Sequence, residues 1–152
     1  MASRGFSIAE LAREIVTAEP MEQVALEREG LRATLISDLA HAMDVPRVRI
    51  FEMMALPRAT MEKKISSREV LTGVANRRAM NLLQLLGHTR EILEDSTAPE
   101  APGFDAAQWL GRWIETPQPA LGGRKPADLL DTEAGAAMVD RALGSLRSGS
   151  YL

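Results

Sequence analysis

The chain has 152 residues, 45% of them apolar, and a formal net charge of −3. That length allows one domain or two small ones. It contains no cysteine, which excludes disulfides and thiolate chemistry and fits a reducing cytoplasm. No apolar run approaches the roughly 18 residues of a membrane span, and Glu10 and Glu14 interrupt the N-terminal apolar residues, so no secretory signal is expected. Aromatics make up only 4% while methionine occurs eight times, so the core is expected to be mostly aliphatic. The charge is unevenly spread: residues 1–45 carry a net −4, residues 46–90 a net +6 and residues 91–152 a net −5. A basic middle between acidic ends suggests a local polyanion-binding face.

Ser7-Ile8-Ala9-Glu10 forms a capping box. Ile8, Leu11, Ala12, Ile15 and Val16 then recur at helical spacing, and Pro20 ends the helix. Residues 21–30 are acidic and extend as a short helix up to Gly30. This N-terminal segment, 1–29, has two readings: a pairing arm for a second copy, or a helix packed on its own domain. Leu31, Leu35, Leu39 and Met43 stripe the next helix, which Asp44-Val45-Pro46 breaks. Val48, Phe51 and Met54 line a short helix, Leu56-Pro57 breaks it, and a further helix runs to about Ser66. Three short helices joined by tight turns make a helix-turn-helix pattern. A long helix is expected over 70–94, with Val74, Ala79, Leu82, Leu83, Leu86 and Leu93 apolar. Gly87 within it weakens the helix by roughly 1 kcal/mol relative to alanine and suggests a bend.

Residues 96–103, with two prolines and a glycine, are expected to link a domain at 30–95 to a second module at 104–152. In that module Asp105 caps a helix bearing Trp109, Leu110, Trp113 and Ile114, most simply as core residues. Pro117 and Pro119 stop it. Pro126 suits the first position of a short helix. Asp131 or Thr132 is placed to cap a last helix from Glu133 to about Leu146, striped by Val139, Leu143 and Leu146. No run of alternating β-branched residues appears, so the fold is read as all-α.

Two stretches resemble a known family. Trp109-Leu110, then Pro117-Gln118-Pro119-Ala120-Leu121-Gly122-Gly123, then Pro126-Ala127-Asp128-Leu129-Leu130-Asp131-Thr132-Glu133-Ala134-Gly135 resembles the C-terminal toxin-binding segment of the Xre/MbcA/ParS antitoxins. Leu56-Pro57-Arg58-Ala59-Thr60-Met61 resembles the turn and recognition helix of the Xre-type fold, with Ala55 where the family usually has a turn glycine. Only glycine tolerates φ > 0 freely, so Ala55 leaves that turn's geometry open.

The resemblance implies an antitoxin of a two-gene operon, partnered by a RES-domain toxin that degrades NAD⁺. The C-terminal module would occlude the toxin's NAD pocket, and the helix-turn-helix would bind operator DNA to repress the operon. Toxin contact is expected from Leu121, Gly122, Arg124, Leu130 and the tail Arg147, Ser148, Gly149, Ser150, Tyr151 and Leu152. Tyr151 suits a partner's cleft because it buries much area and keeps a polar tip; the alternative is a frayed terminus. DNA contact is expected from Arg58 and Thr60, early in the recognition helix, with Lys63, Lys64, Arg47, Arg49 and Arg68 on phosphates. Arg77 and Arg78 are further candidates. A second register makes 46–55 the recognition helix, led by Arg47 and Arg49. One such module buries little surface, so a homodimer within a larger complex is expected.

Other chemistry is poorly supported. Gly122-Gly123-Arg124-Lys125 could cradle a phosphate through backbone N–H groups, but it lacks the ending of a P-loop. His41 and His88 are the only histidines and sit in no metal-spaced cluster. No nucleophile elbow or catalytic triad is visible, so no enzyme, cofactor or metal is expected. The competing function is a dimeric helix-turn-helix regulator without a toxin partner.

Overall fold

The helices expected from periodicity form in a computed structural model that describes residues 7–94 and 105–148. They are α1 (Ile8–Thr17), α2 (Pro20–Glu29), α3 (Thr34–Met43), α4 (Arg47–Met53), α5 (Arg58–Ser66), α6 (Gly73–Glu94), α7 (Ala106–Trp113) and α8 (Glu133–Ser148). Two 3-10 turns, Pro119–Leu121 and Pro126–Leu129, lie between α7 and α8. No strand occurs among the described residues. The nearest thing to one is an isolated antiparallel bridge between Arg32 and Val70.

Local chemistry accounts for the helix ends. The Ser7 Oγ accepts from the Glu10 N–H at 3.1 Å, and the Glu10 carboxylate accepts from the Ser7 N–H at 2.9 Å, so the capping box is complete. Asp105 caps α7 by accepting from the Gln108 N–H at 3.1 Å. Helix α6 begins at Gly73 rather than Val70, because Val70 and Leu71 instead pair back to residues 31–33. The Leu71 N–H donates to the Leu31 carbonyl at 2.7 Å and the Ala33 N–H to the Glu69 carbonyl at 2.8 Å.

Helix α6 is the spine. Helices α1, α7 and α8 all pack on it, while α3, α4 and α5 pack on one another and α3 also meets α1 and α7. One aliphatic core runs through these contacts, from Leu11 and Ile15 through Ile36, Phe51 and Leu83 to Leu110, Val139 and Leu143. Segments 30–95 and 104–152, expected as two modules, share that core. The linker at 96–103 lies outside the described residues.

Helix α1 buries Leu11, Ala12 and Ile15 against this core, which favours the packed reading of the first helix over a free arm. Its contact explains Gly87. A Cβ there would lie 2.5 Å from Val16 Cγ1 and 2.6 Å from the Ala12 carbonyl oxygen. Gly87 is therefore a point of close approach between α1 and α6, where packing leaves no room for a side chain.

Two buried polar groups hold the α2–α3 corner and α6. The Asn76 side chain, 3% exposed, accepts from the Leu31 N–H at 2.8 Å and donates to the Glu27 carbonyl at 3.2 Å. The Thr89 hydroxyl, fully buried, donates to the Leu85 carbonyl at 2.8 Å. Each would cost more buried and unpaired than its bond gains.

Candidate functional site

The segment from Trp109 to Gly135 folds as a short helix, two 3-10 turns and the start of α8. Trp109 and Trp113 stack with ring centroids 5.9 Å apart, and Trp113 is 8% exposed, so both serve packing. Three backbone bonds close the turn after Pro119. The Gly122 N–H donates to the Pro119 carbonyl, the Gly123 N–H to that of Gln118 and the Arg124 N–H to that of Leu121. Those N–H groups are thereby used up, so the turn is structural and offers no phosphate cradle. Gly122 and Gly123 adopt φ of 68° and 84°, which this closure demands.

The second 3-10 turn starts at Pro126, as its fixed φ favours. The Ala127 N–H donates to the Ile114 carbonyl at 2.8 Å and pins the turn to the end of α7. Of the two cap candidates, Thr132 serves α8: its hydroxyl accepts from the Gly135 N–H at 2.9 Å. Gly135 has no room for a side chain, since a Cβ would fall 1.9 Å from the Leu129 carbonyl oxygen.

The expected toxin-contact residues divide by burial. Leu121 and Leu130, each 4% exposed, belong to the core and present no surface. Any contribution they make comes through the shape of the turns. Gly122, Arg124 and Arg147 are exposed. The side chain of Ser148, and Gly149, Ser150, Tyr151 and Leu152 entirely, lie outside the described residues.

The expected DNA-contact residues also divide. Arg58, Thr60 and Lys63 lie exposed on α5, with Arg68 exposed just beyond it, and Arg58, Lys63 and Arg68 form no ion pair among the described residues. Arg68 holds φ of 55°, which turns the chain back toward the Arg32 bridge. Lys64 sits 3.4 Å from Glu69. Arg47 reaches across from α4 to Glu62 of α5, with nitrogen–oxygen distances of 3.2 and 2.5 Å, and to the Ser37 hydroxyl of α3 at 3.0 Å. It therefore clamps the three helices together. Ala55, at the turn between α4 and α5, adopts φ of 53°. The turn keeps the left-handed geometry that glycine would supply, at a strain of roughly 1 kcal/mol.

Arg49 is engaged within the protein. Its guanidinium grips Glu115, at the end of α7, through two bonds of 2.7 and 3.0 Å. Lys125 lies 3.9 Å from the same carboxylate. The Arg49 hydrogen bond, and then the Arg49 charge, hold the Glu115 carboxyl below its ordinary range; burial opposes them. The Arg49 pKa is raised in turn, chiefly by that hydrogen bond. The pair ties α4 to the turn that carries the antitoxin-like motif. Arg78, another candidate, donates to the Met54 carbonyl at 2.5 Å and closes the end of α4. Arg77 remains exposed.

One titratable link joins α6 to α8. His88 Nδ1 lies 2.7 Å from Asp140 Oδ1. That hydrogen bond raises the His88 pKa; burial opposes it, the Asp140 and Glu91 charges add to it, and Arg147 lowers it. Neither Glu115 nor Asp140 carries a local sequence signal for its role. Both pair across more than 50 residues of chain. No group of three or more histidine, aspartate or glutamate side chains among the described residues could hold a metal ion. No described helix is long and apolar enough to cross a membrane.

Comparison with known proteins agrees with the motif. Residues 103–149 match the antitoxin Xre/MbcA/ParS C-terminal toxin-binding domain. Over 139 residues the chain is 34% identical to the Prs ADP-ribosylating antitoxin of Sphingobium sp. (strain YBL2), covering 91% of this chain and 86% of that protein. With the packed Trp109–Gly135 scaffold and a likeness extending over both the trihelical segment and the C-terminal turns, this chain belongs to the Xre/MbcA/ParS antitoxin family.

Proposed function

We propose that this antitoxin of a toxin–antitoxin system neutralises a RES-domain toxin by occluding its NAD pocket, and that it binds operator DNA to repress its own operon. It acts by binding and not by catalysis, in the cytoplasm, as a homodimer within a larger toxin–antitoxin complex. The observation that carries the toxin half is the rigid motif scaffold: closed turns at 118–124, the pinned Pro126–Leu129 turn and the capped α8 present the C-terminal end of the chain from a fixed base. Such a base suits a tail that enters a partner's cleft, because only the tail's own ordering cost remains to be met on binding. The first test co-expresses the toxin with chains truncated after Leu146. Growth rescue should be lost while the helical signal is kept; unchanged rescue excludes tail insertion.

The DNA half rests on α5. Arg58 and Thr60 are exposed in its first turn and Lys63 one turn on, the arrangement by which a recognition helix meets base edges and phosphates. Arg49 and Arg47 are committed within the protein, which favours α5 over α4 as the recognition helix. Changing Lys63 and Lys64 to alanine should weaken operator binding at every sequence and flatten its salt dependence, because fewer counterions are released. A mobility-shift titration over salt that leaves both unchanged removes α5 from the interface. A regulator with no toxin partner is the competing reading, and purification with the product of the neighbouring gene separates the two.

A further inference from the structure

Helix α2 is anomalous in this fold. It is ten residues long and buries none of them fully, although isolated helices of that length are marginal in water. Its own chain holds it through Leu26, half-buried against the core, the Glu19 N–H donating to the Glu22 carboxylate at 2.8 Å, Gln23 Nε2 donating to the Ile15 carbonyl at 3.1 Å, and Asn76 donating to the Glu27 carbonyl. The outward stripe contains Met21, 73% exposed, with Ala25 one turn on. Four glutamates against one arginine give residues 19–29 a net charge of −3.

A complementary surface begins where α2 ends, since a Cβ at Gly30 would lie 2.5 Å from the Leu71 carbonyl oxygen. Val70 is 43% exposed and Val74 is 54% exposed, at the corner where the chain enters α6. Arginines flank them. Arg32 stands opposite Val70 in the antiparallel bridge, and Arg77 follows Val74 by one helical turn. Both arginines are exposed, and neither makes an ion pair among the described residues. The corner thus carries two exposed valines and two exposed arginines, while α2 carries Met21 among exposed glutamates.

We propose that these two surfaces meet between two copies of the chain, with α2 of one copy seated on the Val70–Val74 corner of the other. A twofold axis makes the contact twice, so each copy covers both of its exposed patches in one closed dimer. The proposal rests on the homodimer reading above and assigns its interface. DNA is a poorer occupant of the corner, because phosphates gain nothing from two exposed valines and DNA offers no match to the acidic α2.

Sedimentation of the full-length chain over a range of concentrations tests this. The substitutions Met21→Lys and Arg77→Glu, each on an exposed side chain, should weaken dimerisation at least tenfold when made singly, with the circular dichroism of the fold unchanged. Combined, they should recover a good part of that loss, because the new charges again oppose each other. A wild-type chain that stays monomeric at all concentrations overturns the homodimer reading itself. A wild-type dimer that neither substitution disturbs overturns only this surface. If Arg77→Glu weakens operator binding while the dimer persists, the corner faces nucleic acid and the assignment falls.

Discussion

Breaking the Arg49–Glu115 pair separates a structural tie from a DNA contact, two roles with opposite signatures. The pair makes two charge-assisted bonds, and its side chains keep only 30% and 32% of their exposure. Fully exposed pairs contribute about 0–1 kcal/mol. Removing one partner of a buried pair costs about 3–5 kcal/mol. Bidentate geometry at partial exposure therefore places the coupling at about 1–2 kcal/mol, measurable by a double-mutant cycle of Arg49→Ala and Glu115→Ala. For a chain of this size, that corresponds to a melting shift of about 2–8 °C for Glu115→Gln.

The pH dependence has a definite sign. The folded Glu115 carboxyl lies below its ordinary value of 4.5, so the stabilisation is full above that value and is lost as pH falls through the folded one. Glu115→Gln should accordingly differ from the wild type at neutral pH and converge with it in acid. Chemical denaturation at pH 7 and in steps below 4.5 reads both effects. A coupling below about 0.3 kcal/mol, or a difference that persists unchanged into acid, refutes the tie. If Arg49→Ala leaves stability untouched but flattens the salt dependence of operator binding, Arg49 is a phosphate contact after all.

Three other perturbations follow from the packing and the backbone. Gly87→Ala should destabilise by about 1–3 kcal/mol in a denaturant melt, since overpacking against Val16 and the Ala12 carbonyl outweighs the gain in helix propensity; a more stable variant contradicts the close approach. Ala55→Gly should stabilise by up to about 0.6 kcal/mol, because relief of roughly 1 kcal/mol of strain at φ 53° exceeds the added chain entropy of about 0.4–1 kcal/mol. A loss in that melt would mean the turn is not left-handed. His88 has a raised pKa, so its link to Asp140 stabilises fully below about pH 6.5 and fades as pH rises through the folded value. The wild type should thus lose stability on that rise and His88→Gln should not, as melting curves from pH 6 to 9 would show; equal slopes remove the link.

Much of this protein was legible along the chain because helix formation is local. Periodic leucines, Ser7 with Glu10, Asp105, Thr132 and the prolines act within one or two turns, so their spacing alone marks where helices start and stop. The Trp109–Gly135 motif was legible for the same reason: its glycines and prolines encode turns that close on themselves. Solvent and long-range geometry decided the rest. A sequence shows that Arg49 is basic but not that Glu115, 66 residues later, arrives beside it and pairs with it. It shows that Leu121 and Leu130 are apolar but not that the core, rather than a partner, covers them. Nor does it show that Gly87 is small because another helix crosses there. Burial, pairing and close approach are properties of surfaces brought together by folding, and no local pattern carries them.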